Sequence, residues 1–147
     1  KGDTGKLPPG HILIVEDDNN IRDVLGRSLE KMGWGVKEAA NGLGALEILY
    51  NLSPDDLPSL ILLDLMMPVM DGFQFVAAVR QNASWEQIPI VVLTAKDLTN
   101  DERQQLNGFV EQVMEKQYFS RDELLHEIRE LVLARMNEKT KDENADD

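Results

Sequence analysis

Short, continuous apolar runs alternate along this chain with longer stretches in which apolar residues recur at helical spacing. Ile12-Leu13-Ile14-Val15, Leu60-Ile61-Leu62-Leu63 and Ile90-Val91-Val92-Leu93 have no polar face, the pattern of strands buried on both sides. Val36 and Val113-Met114 centre two weaker strands. Between them, Ile21, Val24, Leu25, Leu29 and Met32 predict one helix over about 20–32, which Gly33 ends. Asn41-Gly42 breaks the chain before a second helix carrying Leu43, Leu46, Ile48 and Leu49, and Phe75, Val76 and Val79 mark the buried side of a third. Thr99 and Glu102 have capping-box spacing for a fourth helix running to about Gly108. Ser120 and Glu123 repeat that spacing ahead of Leu124, Leu125, Ile128, Leu131 and Val132. Five strands alternating with five helices predict an α/β domain: a parallel sheet covered on both faces by right-handed crossovers. No internal repeat and no second domain are visible.

The parallel sheet decides where chemistry can sit. Functional groups of such sheets gather in the crevice at the carboxyl ends of the strands. The first strand ends on Glu16 and Asp17, the third on Asp64, the fourth on Thr94 and the fifth on Lys116. Asp64 is the candidate reactive group, with a carboxylate that merely caps a turn as the structural alternative. Three carboxylates without a cation repel one another, and a hard divalent ion relieves that repulsion; oxygen ligands suit Mg²⁺ or Mn²⁺. A lysine and a threonine hydroxyl on the same edge offer a point charge and a hydrogen bond to an incoming phosphoryl group. Carboxylates form aspartyl-phosphates as nucleophiles, and no Ser-His or Cys-His pair stands as an alternative.

Composition narrows the class further. The net charge of −12 argues against direct nucleic-acid binding, because neutralising phosphates requires an excess of Lys and Arg. Without cysteine there is neither a disulfide framework nor a thiolate metal site. No apolar run approaches the ~20 residues of a membrane span and no signal-peptide pattern opens the chain, so a soluble, cytoplasmic protein without membrane contact is expected. Residues 1–10 read as linker and 137–147 as an acidic, disordered tail too short for a DNA-binding module. The chain has no initiating Met, and it is expected to be a piece of something longer.

Ile14-Val15-Glu16-Asp17-Asp18, Asp64…Met67-Pro68…Met70-Asp71-Gly72, Val92-Leu93-Thr94-Ala95-Lys96 and Lys116, in that order, resemble the receiver domain of two-component response regulators over about residues 11–136. The resemblance implies a flavodoxin-like, three-layer (βα)5 domain with strand order 2-1-3-4-5. It implies a phosphoacceptor module and not an enzyme, in which Asp64 takes a phosphoryl group from a phosphohistidine of a histidine kinase or histidine phosphotransfer domain. Mg²⁺ (or Mn²⁺) would be held by Asp17, Asp64 and the Met66 backbone carbonyl, with Glu16 reaching it through water. Lys116 would pair with a phosphoryl oxygen while the Thr94 hydroxyl and the Ala95 amide close over the group. Asp18 is expected to be a solvated loop carboxylate. The implied switch acts on partner interactions and leaves a dimer open.

The chain also departs from the family pattern. Gln117 follows Lys116 where the family usually has proline, and Val113 stands where it often has an aromatic that swings inward. Ser120 to Leu125 after a lysine without proline resembles receivers carried by hybrid sensor kinases. Haloacid-dehalogenase-like phosphotransferases, the enzymatic alternative, place an Asp two residues after the nucleophile, and this chain has Met66 there. A receiver fold kept only as an unphosphorylated interaction module would need none of Asp17, Asp64, Thr94 and Lys116. Met66 carries no polar group to orient a water, so a slowly hydrolysing phospho-Asp64 is expected. His11 and His126 lack partners at ligand spacing, Met66, Met67 and Met70 read as packing, and Trp34 and Trp85 as single aromatics at element ends.

Overall fold

The computed structural model describes residues 10–145 other than Pro68 and Lys96. The expected linker therefore lies, but for Gly10, outside the described residues. Five strands, β1 (His11–Val15), β2 (Gly35–Ala39), β3 (Leu60–Leu63), β4 (Ile90–Thr94) and β5 (Gln112–Glu115), alternate with α1 (Asn19–Lys31), α2 (Gly42–Tyr50), α3 (Gly72–Gln81), α4 (Asn100–Leu106) and α5 (Arg121–Ala145). The sheet is parallel throughout, in the order β2-β1-β3-β4-β5. This is the expected flavodoxin-like arrangement.

The alternation of side chains along a strand splits the apolar runs between two cores. Leu13, Val15, Ile61, Leu63, Ile90 and Val92 face α2, α3 and Leu106 of α4. Ile12, Ile14, Leu60, Leu62, Val91 and Leu93 face Leu25 and Leu29 of α1 and Leu124, Ile128 and Val132 of α5. Because both faces are covered, β1, β3 and β4 are buried at every position. β2 lies at the sheet edge and is half exposed, which explains its faint apolar signal. Val15 is level with Leu63, and Leu63 with Val92, so the strands end together.

Local chemistry explains the boundaries. The Thr99–Glu102 and Ser120–Glu123 capping boxes form with both reciprocal hydrogen bonds. A third box, Asp71 with Gln74, opens α3 and went unread in the sequence. α4 stops at Leu106, short of the expected Gly108, because Asn107 is extended and Gly108 takes φ +85°. α5 continues as helix to Ala145, across residues where the sequence predicts a frayed tail. That stretch contains no Gly or Pro and carries Glu138, Lys139, Lys141 and Glu143, all good helix formers.

Candidate functional site

At the carboxyl edge of the sheet, β1, β3 and β5 deliver their charged residues to one place. Carboxylate oxygens of Glu16, Asp17 and Asp64 lie within 4.8 Å of one another. Glu16 and Asp64 are buried and Asp17 is exposed. Thr94, the last residue of β4, is fully buried, and Ala95 after it is exposed. Lys116 follows β5 and sends its Nζ to 3.2 Å from Glu16 Oε1. The structure thus gathers the sequence-predicted residues at one edge. It differs in one contact: the lysine expected to serve a phosphoryl group is engaged by Glu16.

Each carboxylate is held by its neighbours. The Glu16 backbone N–H donates to the Ala39 carbonyl at 3.0 Å, which hangs the end of β1 on β2. Glu16 Oε2 accepts from the Asp18 N–H at 3.1 Å. Burial pushes the Glu16 carboxyl up to about 7, and the nearby Asp64 charge acts in the same direction; the Asp18 N–H and Lys116 oppose it. A buried acid beside two more carboxylates is a site that a cation would favour in its ionised form, so this donor set fits a hard divalent ion. The Asp64 N–H donates to the Val15 carbonyl at 3.0 Å, and Asp64 Oδ1 accepts from the Met66 N–H at 3.2 Å. Met66 itself is exposed, with its amide beside the candidate acceptor.

The turn after β3 is closed tightly. The Gly72 N–H donates to the Leu65 carbonyl at 3.0 Å. A Cβ on Gly72 would come within 2.6 Å of Leu65 Cα, so only glycine lets α3 start this close to Asp64. Val69, an exposed β-branched residue, takes φ +70°, a strained conformation in the same loop.

Asp18 is exposed in the loop before α1, as the sequence predicts, and it has a structural role that the sequence reading left out. It is the N-cap of α1, its Oδ1 accepting from the Asn20 and Ile21 N–H groups at 2.9 and 3.0 Å. The signal was present in an Asp just ahead of the first amphipathic stretch. Arg22, also unread in the sequence, donates from Nη1 to the Glu16 carbonyl at 2.7 Å. Val113 is half-buried and packs against the core under α2 and α3. His126 is exposed, Met67 is buried in that core, and Trp85 stacks edge-on against Tyr50 with ring centroids 4.8 Å apart. No helix among the described residues is long and apolar enough to cross a membrane.

A parallel sheet whose carboxyl edge gathers three carboxylates, a buried threonine and a lysine is an arrangement suited to phosphoryl chemistry at a carboxylate. Residues 12–129 match the response regulator receiver domain, and the chain belongs to that family. It is 35% identical over 124 residues to response regulator MprA of Mycobacterium sp. (strain KMS), an alignment covering 84% of this chain and 51% of that protein. The fold superposes on chemotaxis protein CheY4 of Vibrio cholerae with a TM-score of 0.73 and 28% identity, over 84% of this chain and 98% of the other. The signal receiver domain of a signal transduction histidine kinase from Syntrophus aciditrophicus gives a TM-score of 0.72 and 25% identity, over 85% and 90% of the two chains. This chain spans about half the length of the curated relative. The family is a signalling module of two-component systems, generally not an enzyme.

Proposed function

We propose that Asp64 is the phosphoacceptor, taking its phosphoryl group from a phosphohistidine on a histidine kinase or histidine phosphotransfer domain in the cytoplasm. The observation that carries this reading is the convergence of Glu16, Asp17 and Asp64 within 4.8 Å beside Lys116. A carboxylate oxygen of Asp64 attacks phosphorus, the P–N bond breaks, and the imidazole leaves with its electron pair and takes up a proton. Glu16, Asp17, Asp64 and the Met66 carbonyl would hold Mg²⁺, which supplies neutralising charge to the phosphoryl oxygens. Lys116, released from Glu16, adds a second positive charge, while the Thr94 hydroxyl and the Ala95 N–H donate to the phosphoryl group. Little proton transfer is needed; the site works by position and charge.

The likeness to a receiver domain of a histidine kinase, together with the Ser120 capping box, favours a second reading of context, in which this receiver is the module of a hybrid kinase. Both contexts use the same chemistry.

The test is intact mass after incubation with Mg²⁺ and acetyl phosphate, with Asp64→Asn alongside. One phosphoryl group gained by the wild type and none by the variant supports the assignment. Labelling of both would move the acceptor to another residue. No labelling of folded wild type, by acetyl phosphate or by a phosphorylated kinase, would sink the reading.

A further inference from the structure

Asp17 is the exposed member of the carboxylate cluster, so something other than burial must aim it. The three residues Glu16, Asp17 and Asp18 follow β1 as a turn, and most of the backbone contacts of that turn are accounted for at its ends. The Glu16 N–H is on the Ala39 carbonyl, the Asp18 N–H is on the Glu16 side chain, and the Asp18 side chain caps α1. The peptide between Glu16 and Asp17 is the part that sets where the Asp17 side chain leaves the chain. Its carbonyl is gripped by a side chain: Arg22 Nη1 donates to it at 2.7 Å.

Arg22 is itself fixed on two further sides. Nη2 donates to Asn19 Oδ1, and Nε faces Glu38 Oε1 of β2 at 3.4 Å. The Arg22 side chain is 17% exposed, so its charge is largely withdrawn from water and its planar fork is held by three partners. A glycine inside α1 makes room for this arrangement. Gly26 sits one turn after Arg22, a helix-interior position where glycine is less favourable than Ala. A Cβ there would lie 2.8 Å from Glu38 Oε2, so Gly26 leaves the space that Glu38 occupies beside Arg22.

We propose that Arg22, braced by Glu38, is a positioning residue for the cation site: it orients the Glu16–Asp17 peptide and thereby presents the Asp17 carboxylate to the ion. The proposal rests on the reading that the cluster of Glu16, Asp17 and Asp64 holds Mg²⁺. Arg22 engages the Glu16 carbonyl, Asn19 and Glu38, none of them a carboxylate of the cluster. It acts through the backbone, as groups that orient metal ligands do, and loss of such a partner typically weakens metal affinity about 10–100-fold.

The experiment is titration of the folded protein with Mg²⁺ by calorimetry, far below the melting temperature, in wild type, Arg22→Gln, Arg22→Lys, Glu38→Gln and Asp17→Asn. Near-UV circular dichroism from the buried Trp34 verifies that each variant is folded. The expected result is Mg²⁺ affinity weakened about tenfold in Arg22→Gln. Arg22→Lys, which keeps one donor but not the fork, falls between it and wild type, and Glu38→Gln shows a smaller loss in the same direction. The Mg²⁺ concentration giving half-maximal acetyl-phosphate labelling rises in step. Wild-type affinity in both Arg22 variants, with or without a lowered melting temperature, would overturn the proposal and leave Arg22 a structural residue. Should Arg22→Gln fail to fold, wild-type affinity in Arg22→Lys and Glu38→Gln together overturns it equally. If wild type and Asp17→Asn bind Mg²⁺ alike, the ion is not at this cluster, and the underlying reading falls along with the proposal.

Discussion

The Lys116 ammonium lies 3.2 Å from Glu16 Oε1, a contact between residues one hundred positions apart in sequence. The glutamate side chain is 4% exposed and the lysine 25% exposed, so the pair is shielded from water more on one side than the other. Lys116 therefore neutralises part of the charge that a cation would otherwise meet. Removing it should tighten Mg²⁺ binding while slowing phosphoryl transfer. Lys116→Ala is expected to bind Mg²⁺ about tenfold more tightly, roughly 1.4 kcal/mol, and to label more slowly with acetyl phosphate. Calorimetry and a labelling time course on one protein stock check both halves.

Met66 is exposed beside Asp64, and its thioether offers nothing to orient a water toward a phosphoryl group. Phospho-Asp64 should hydrolyse slowly, and Met66→Asn should hydrolyse about tenfold faster by positioning the attacking water. Loss of the phosphoryl mass with time, after removal of the donor, measures it. An unchanged rate would show that water is limited elsewhere.

Asp18 caps α1 with two N–H groups on one oxygen. Asp18→Ala is expected to lose about 1 kcal/mol of stability, as helix N-caps do, and Asp18→Asn to retain most of it. Urea unfolding monitored by tryptophan fluorescence distinguishes this from a carboxylate with no capping role, whose removal would cost nothing.

His11 is buried at the start of β1, and its Nε2 has no protein hydrogen-bond partner among the described residues. Burial, assisted by Lys37, holds its pKa below the ordinary 6.5, with Asp56 opposing. A histidine with a depressed folded pKa is neutral in both states above 6.5, so its contribution is fully present there. Below 6.5 the unfolded chain takes up a proton that the folded one refuses, and stability is lost as pH falls toward the folded pKa. Glu16 carries the opposite sign: its raised pKa adds stability at low pH that is lost as pH rises toward 7. The difference between wild type and His11→Val cancels the Glu16 contribution. Denaturant unfolding without Mg²⁺ at pH 7.5 and 5.5 should show His11→Val losing less, or gaining more, on acidification than wild type. Parallel pH curves would place His11 in contact with water.

Gly72 cannot carry a side chain without moving Leu65, since the added carbon would meet Leu65 Cα and Cδ2 at 2.6 Å. Gly72→Ala should lose about 1–3 kcal/mol, the usual range for overpacking. Gly44→Ala, where the nearest atom lies at 3.5 Å in the first turn of α2, should be neutral or stabilising. Melting temperatures of the two variants make the comparison.

The order of elements, the parallel sheet and its carboxyl-edge residues were legible in the chain alone. Continuous apolar runs such as Leu60 to Leu63 can satisfy a sheet only when both faces are covered, and a strand buried on both faces ends by releasing its next polar residue at one edge. Asp64, Glu16, Asp17 and Lys116 were placed on that edge by sequence order. The folded structure decided what sequence spacing cannot express. Lys116 meets Glu16 because strand order 2-1-3-4-5 lays the ends of β1 and β5 against a common crevice, with β3 and β4 between them. Arg22 reaches the Glu16 carbonyl because α1 turns back over β1, and it finds Glu38 because β2 pairs alongside. Hydrophobic periodicity reports the face that leaves water, which is a property of each element taken singly. Which polar group answers another across elements depends on packing and register, and those exist only once the chain has folded.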